Sequence, residues 1–176
     1  MQGASRGIGL EFVRQLLAEP AIGRVFASCR TPERAGQLAG LAATEPRLRI
    51  VPLDVYDEAS ITRAAAQVAD VTDRLHLVVN CAGLLHGGAA QLSPEKRLAD
   101  VQPEALAASF AVNAMGPLLV AKHFERLLAH RERAVFASIS ARVGSIGDNR
   151  LGGWHAYRGA KAAQNMFTKT LAIEWA

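Results

Sequence analysis

Four short apolar runs, set between stretches of helical period, restrict this chain to one class of fold more than any other feature. Val25–Cys29 and residues 48–55, 75–81 and 134–139 each read as a strand. Their near-continuous hydrophobicity suits strands covered on both faces, as in a parallel sheet. Residues 8–17, 58–71, 104–128 and 157–175 carry apolar side chains at helical spacing. Strand–helix alternation predicts an α/β fold with a parallel sheet and right-handed crossovers. A length of 176 residues predicts one domain, with enough chain for a core.

The balance of charge narrows the partners. Twenty basic and sixteen acidic residues leave a formal charge of +4, and the basic residues are scattered. Basicity without a clustered face argues against nucleic acid, whereas a local positive cleft would suit an anionic cofactor. The five histidines show no metal-ligand spacing, so no metal is expected. Cys29 and Cys81 form no CxxC pair and read as reduced thiols. No apolar run reaches the ~20 residues of a membrane span, and the N-terminus has no signal-peptide pattern. A cytoplasmic location is expected, with no membrane partner.

Gly3, Gly7 and Gly9 form GxxxGxG and lead into the amphipathic run Leu10, Phe12, Val13, Leu16, Leu17. Glycines let the backbone turn tightly against a pyrophosphate, and the helix start aims free N–H groups at it. The alternative is an ordinary turn and helix start. About 20 residues on, where an NAD site places an acidic residue on the ribose, stands Arg30. An arginine there accepts a 2′-phosphate through charge-assisted bonds, and Arg6 in the turn is a second candidate. NADPH is therefore expected in preference to NADH, against the alternative of two solvated arginines. Asp54 and Val55 end the next strand, as an adenine contact or a turn. Asn80, Ala82 and Gly83 close the one after, where open α/β sheets bind ligands.

Tyr157 and Lys161 stand four apart, a spacing that puts both on one face of a helix. An ammonium beside a phenol favours the phenolate, so the tyrosine is expected to exchange a proton nearer neutrality than its usual value of about 10. A dinucleotide turn and a tuned phenol together suggest a reductase.

With these residues in view, the chain resembles the short-chain dehydrogenase/reductase family of the Tyr-x-x-x-Lys type. The matching pieces are GASRGIG at 3–9, LDV at 53–55, NCAG at 80–83, Asn113 in VNAMGP, Ser138 and Ser140 in ASISARVGS, and YRGAK at 157–161. CRTPE and GSIGDNRLGGWHAYR make it most similar to small carbonyl reductases of the C-factor and sniffer type. The resemblance implies a single, partial NAD(P)-binding domain over 1–176, a Rossmann-like, doubly wound parallel sheet in three αβα layers. It further implies an NADPH-dependent reductase of a small aldehyde or ketone, with Tyr157 as general acid and Lys161 on the nicotinamide ribose. It implies that Asn113 holds a water for proton resupply and that a serine stabilises the carbonyl oxygen. Ser5 and Ile8 complete the implied cofactor turn, and the helices containing Asn113 and Tyr157 are the implied homodimer faces.

Three departures qualify the match. Aligning on Gly144 puts Ala141 at the usual serine position, so Ser140 is the expected donor with Ser138 and Ser145 as alternatives. Gln2 stands where threonine is usual. Only Met1 and Gln2 precede the glycine turn, so the first central strand and the C-terminal strands are expected to be missing. Each buried unpaired ladder group costs about 1–3 kcal/mol, against a total stability of about 5–15. The second expectation is thus a truncated, catalytically inactive relative that acts only by binding cofactor or partner.

Overall fold

The computed structural model describes residues 1–87 and 92–176. The chain gathers into two compact units: Met1–Ala82 with Val120–Ile139, and Gly83–Leu119 with Ser140–Ala176.

The first unit is built on parallel strands. Strand β1 (Val25–Cys29) pairs with β2 (Leu48–Pro52), and β3 (Leu77–Asn80) pairs with β4 (Val135–Ser138). Gln2 links the two pairs through parallel bridges to Ser28 and Asn80, which gives the order β2–β1–Gln2–β3–β4. Only one residue pairs on both sides at this centre because the glycine turn begins at the next position. Alongside it lies an apolar cavity of about 490 Å³, lined in part by Phe26, Val78, Val68 and Phe124. Helix α1 (Gly7–Ala18) buries Leu10 and Val13 against Val25, Ala27 and Leu48. Helix α3 (Glu58–Ala69) starts where Asp57 accepts the Ala59 N–H at 2.9 Å, an N-cap worth about 1 kcal/mol.

Helix α2 (Gly36–Thr44) was not expected. Its nine residues are glycine, alanine and leucine with two polar residues, and it buries only Leu38, too little contrast between faces for a legible period. Strands β2, β3 and β4 are also shorter than the apolar runs that predicted them, although the Leu53 and Cys81 N–H groups still donate to the Cys29 and Gln2 carbonyls just past the ends of β2 and β3.

The second unit is helical. Helix α4 (Pro103–Phe110) begins with proline at its first position, where no N–H is needed. A π-helical turn (Ala111–Met115) joins it to α5 (Gly116–Leu128), whose last nine residues belong to the first unit. Together Pro103–Leu128 run for 26 residues, long and apolar enough by length and composition to cross a membrane, contrary to the sequence expectation. Half of the most apolar stretch is buried, as in the core helix of a globular fold. Helix α6 (His155–Glu174) packs on α4, on the π turn and on a 3₁₀ turn at Arg142–Gly144.

Candidate functional site

In the first unit the glycine turn is shaped by backbone contact. Gly3 has φ +78°, and a Cβ there would lie 2.5 Å from the Ala82 nitrogen. A Cβ on Gly9 would collide with the Gly3 carbonyl oxygen. The turn thus closes on itself so tightly that no side chain fits. Gln2 holds it from beneath: its N–H donates to the Val79 carbonyl, its carbonyl accepts from Cys81, and its side-chain oxygen accepts from Ala82 at 3.1 Å. A buried glutamine satisfied at three points is a structural clamp. Sequence reasoning noted it only as a departure from threonine.

Beyond the turn, the first amides of α1 meet no capping side chain and no acidic residue in the first turn. Such a helix start carries a partial positive charge and donors for an anion. Arg6 caps the helix by position only and is exposed, as is Arg30 at the end of β1. Ser5 is half-buried, and Ile8 is 61% exposed on the first turn of α1, an apolar surface beside these donors. This cradle, with Arg6 and Arg30 exposed and no carboxylate in the first helical turn, fits the phosphates of a dinucleotide.

The strand ends are more committed. Asp54 accepts the Tyr56 N–H at 3.0 Å through Oδ1, while its own N–H donates to Ser60 Oγ, so the carboxylate shapes a turn and keeps Oδ2 for any ligand. Val55 is buried. Asn80 is buried and donates through Nδ2 to the Ala137 carbonyl and Ser138 Oγ, leaving Oδ1 without a partner. Its side chain therefore ties β3 to β4.

In the second unit Tyr157 and Lys161 share one face of α6, with Nζ 5.8 Å from the ring centroid. Lys161 is buried and donates to Gln164 Oε1 at 2.8 Å. The expected downward shift of the phenol is overturned. Burial raises the Tyr157 pKa above its usual value, because desolvation penalises the phenolate. Gln164 gave no signal in the sequence, since a glutamine three residues past a helical lysine is ordinary.

Asn113 sits fully buried in the π turn, a helical irregularity frequent at functional sites. Its Oδ1 accepts the Leu84 N–H at 2.9 Å, and its Nδ2 donates to the Leu84 carbonyl at 2.7 Å and to Ser109 Oγ at 3.1 Å. Both amide protons are thus engaged, and one Oδ1 lone pair remains for a water. Gly83 packs against that oxygen, a Cβ there lying 3.5 Å away.

The serines separate cleanly. Ser140, the expected donor, gives its only hydroxyl proton to Asn165 Oδ1 at 2.7 Å and so anchors its loop to α6. Ser138, in the first unit, accepts from Asn80. Ser145 accepts the Asp148 N–H at 3.3 Å and keeps its proton. It directly follows Gly144, which is buried so close to α6 that a Cβ would lie 2.8 Å from Lys161 Cβ.

Comparison with known proteins gives the family and the fold of the chain. A family model described as short chain dehydrogenase matches residues 1–176. An uncharacterized oxidoreductase of Schizosaccharomyces pombe, C663.09c, is 33% identical over 174 residues, which are 99% of this chain and 66% of its own. Other curated relatives are matched over a similar share, so the chain spans slightly under two thirds of their length. Among solved structures, the carbonyl reductase Sniffer of D. melanogaster superposes with a TM-score of 0.89 at 28% identity, covering 98% of this chain and 73% of that one. An NADPH-bound carbonyl reductase from chicken fatty liver gives 0.88 at 35% identity, covering 99% and 72%. The α/β fold expected from strand–helix alternation, Rossmann-like as the resemblance implies, is the fold these structures share with it. By sequence and by fold, the chain belongs to the short-chain dehydrogenase family.

Proposed function

We propose that this chain carries the cofactor and proton-transfer machinery of an NADPH-dependent reductase acting on a small aldehyde or ketone. The observation that carries this reading is Tyr157. It is a phenol held protonated by burial, with its hydroxyl in no protein hydrogen bond among the described residues, beside a buried lysine. A group in that state is a proton donor, as carbonyl reduction requires. NADPH, when bound, supplies the hydride; the chain's own residues hold the cofactor and deliver the proton.

The glycine turn and the first turn of α1 take the pyrophosphate, while Arg6 and Arg30 take the 2′-phosphate and give NADPH its preference over NADH. Asp54 Oδ2 and the edge formed by Asn80, Ala82 and Gly83 serve the adenine and the flat rings. Tyr157 donates to the carbonyl oxygen. Lys161 moves from Gln164 to the ribose when cofactor binds, and Asn113 keeps a water on its free lone pair for proton resupply. Ser145 takes the stabilising role expected of Ser140, because its proton is uncommitted and its loop is seated against Lys161. The two units are read as one cofactor-binding domain. Met115 and Met166, both more than half exposed, support pairing of two copies through the Asn113 and Tyr157 helices. Cys29 and Cys81, which form no disulfide with each other, support a cytoplasmic location.

The test is NADPH consumption with a panel of small aldehydes and ketones, alongside cofactor titration by fluorescence. Binding with carbonyl-dependent oxidation of NADPH is expected. Absence of both would end this reading.

A further inference from the structure

Helix α6 has an N-terminus that its own sequence does not cap. The residue before it, Trp154, has φ +54° and ψ +41°, a left-handed conformation rare outside glycine, and it supplies no side-chain acceptor. A helix start buried without acceptors leaves costly orphan N–H groups. Here a residue about sixty positions earlier meets them. The Glu95 carbonyl accepts the Trp154 N–H at 2.6 Å, and the Glu95 carboxylate accepts the Ala156 N–H at 3.4 Å. Glu95 is only 5% exposed, an unusual burial for a carboxylate. Gly153 packs on it closely enough that a Cβ would lie 3.1 Å from the Glu95 carbonyl oxygen.

The consequence reaches the reacting group. Tyr157 is the third residue of α6, so its direction is set by the turn that Glu95 holds. Glu95, Ala156, Tyr157 and Ser109 line one small cavity of about 10 Å³, at the lower limit for a single water. Ser109 in turn accepts from Asn113. A carboxylate at a helix N-terminus is favoured by the helix dipole, and burial leaves that attraction unscreened.

We infer that Glu95 is a positioning residue for Tyr157: its buried carboxylate replaces the missing cap of α6 and fixes the turn that aims the phenol. The functional arm of this inference rests on the reductase reading above; the structural arm does not.

The test compares Glu95→Ala with Glu95→Gln in the whole chain. The glutamine keeps an oxygen for the Ala156 N–H and the alanine does not. Glu95→Ala should speed exchange of the Ala156 amide about tenfold, the effect of losing a cap. It should also shift the NMR ring signals of Tyr157 while those of Tyr56, the only other tyrosine, stay put. Turnover should fall about tenfold with NADPH affinity unchanged, and Glu95→Gln should restore each readout to within about twofold. Unchanged exchange and ring signals in Glu95→Ala would overturn the inference, as would a glutamine variant that behaves like alanine. Loss of NADPH binding in step with turnover would make Glu95 a general structural residue and overturn the positioning role. If the parent chain consumes no NADPH, the reductase reading fails while the exchange and ring signals still decide the role of Glu95.

Discussion

The two halves of the candidate machinery are specified by different means. In the first unit the cofactor turn is determined by backbone sterics: Gly3 and Gly9 admit no side chain, and the backbone of residues 1–3 bonds the strands on either side. In the second unit the acid–base group is determined by side chains that hold one another: Lys161 on Gln164, Asn113 on Leu84 and Ser109, Ser140 on Asn165. A turn shaped by excluded volume is preorganised and has one form. A side-chain network has alternatives, and Lys161 turned toward Gln164 is one of them. On the proposed reading, the phosphate-binding half is ready as it stands, while the proton-donating half rearranges when cofactor arrives.

The sharpest way to break this contrast is Tyr157→Phe, which removes one oxygen from the adaptable half. Turnover should drop by about 10²–10⁴-fold, the usual worth of a general acid, with NADPH affinity intact. Unchanged turnover would take the acid's role from Tyr157. Gly9→Val attacks the rigid half. The new side chain meets the Gly3 backbone, so NADPH affinity should weaken about 100-fold, some 2.7 kcal/mol, with the Tyr157 ring signals in place. Retained affinity would show that the turn yields.

Ser145→Ala should cost about 10²-fold in turnover, on the scale of a lost oxyanion donor, and Ser140→Ala clearly less. The reverse order would return the role to Ser140.

The pH dependence probes the rearrangement itself. Burial raises the native phenol above its usual value, so the native state holds this proton more tightly than the unfolded chain. Stability from this group is full below pH ~10 and is lost as pH rises through the native value. Reduction, which needs the phenol, should stay level from pH ~7 to ~9, whereas alcohol oxidation, which needs the phenolate, should climb toward ~10. A reduction rate that falls with an apparent pKa near neutrality would show Lys161 swinging onto the phenol in the complex. The smallest effect is expected of Arg30→Asp, a shift of about tenfold toward NADH, the worth of one charge-assisted contact. Indifference would remove the 2′-phosphate argument.

Much of this was legible in the residues themselves. Four strands and four helical stretches stand where apolar runs and helical spacing put them, because burial on both faces of a parallel strand leaves a continuous signature. Helix α2 escaped because a short Gly–Ala–Leu segment has no contrast between its faces. The split of 104–128 by a π turn escaped because one extra backbone residue does not alter an apolar pattern. The glycine turn was visible for the opposite reason: three glycines at fixed spacing report a steric demand that no other residue meets.

By itself, the order of residues determined the class of fold, the glycine turn and the pairing of Tyr157 with Lys161 on one helical face, since each is a matter of local spacing. Only the tertiary structure decided the direction of the phenol's proton affinity, which serine keeps its proton, and that Glu95 caps the helix of Tyr157. Those depend on burial and on partners tens of residues away, and hydrogen bonds of that reach leave no period in a sequence.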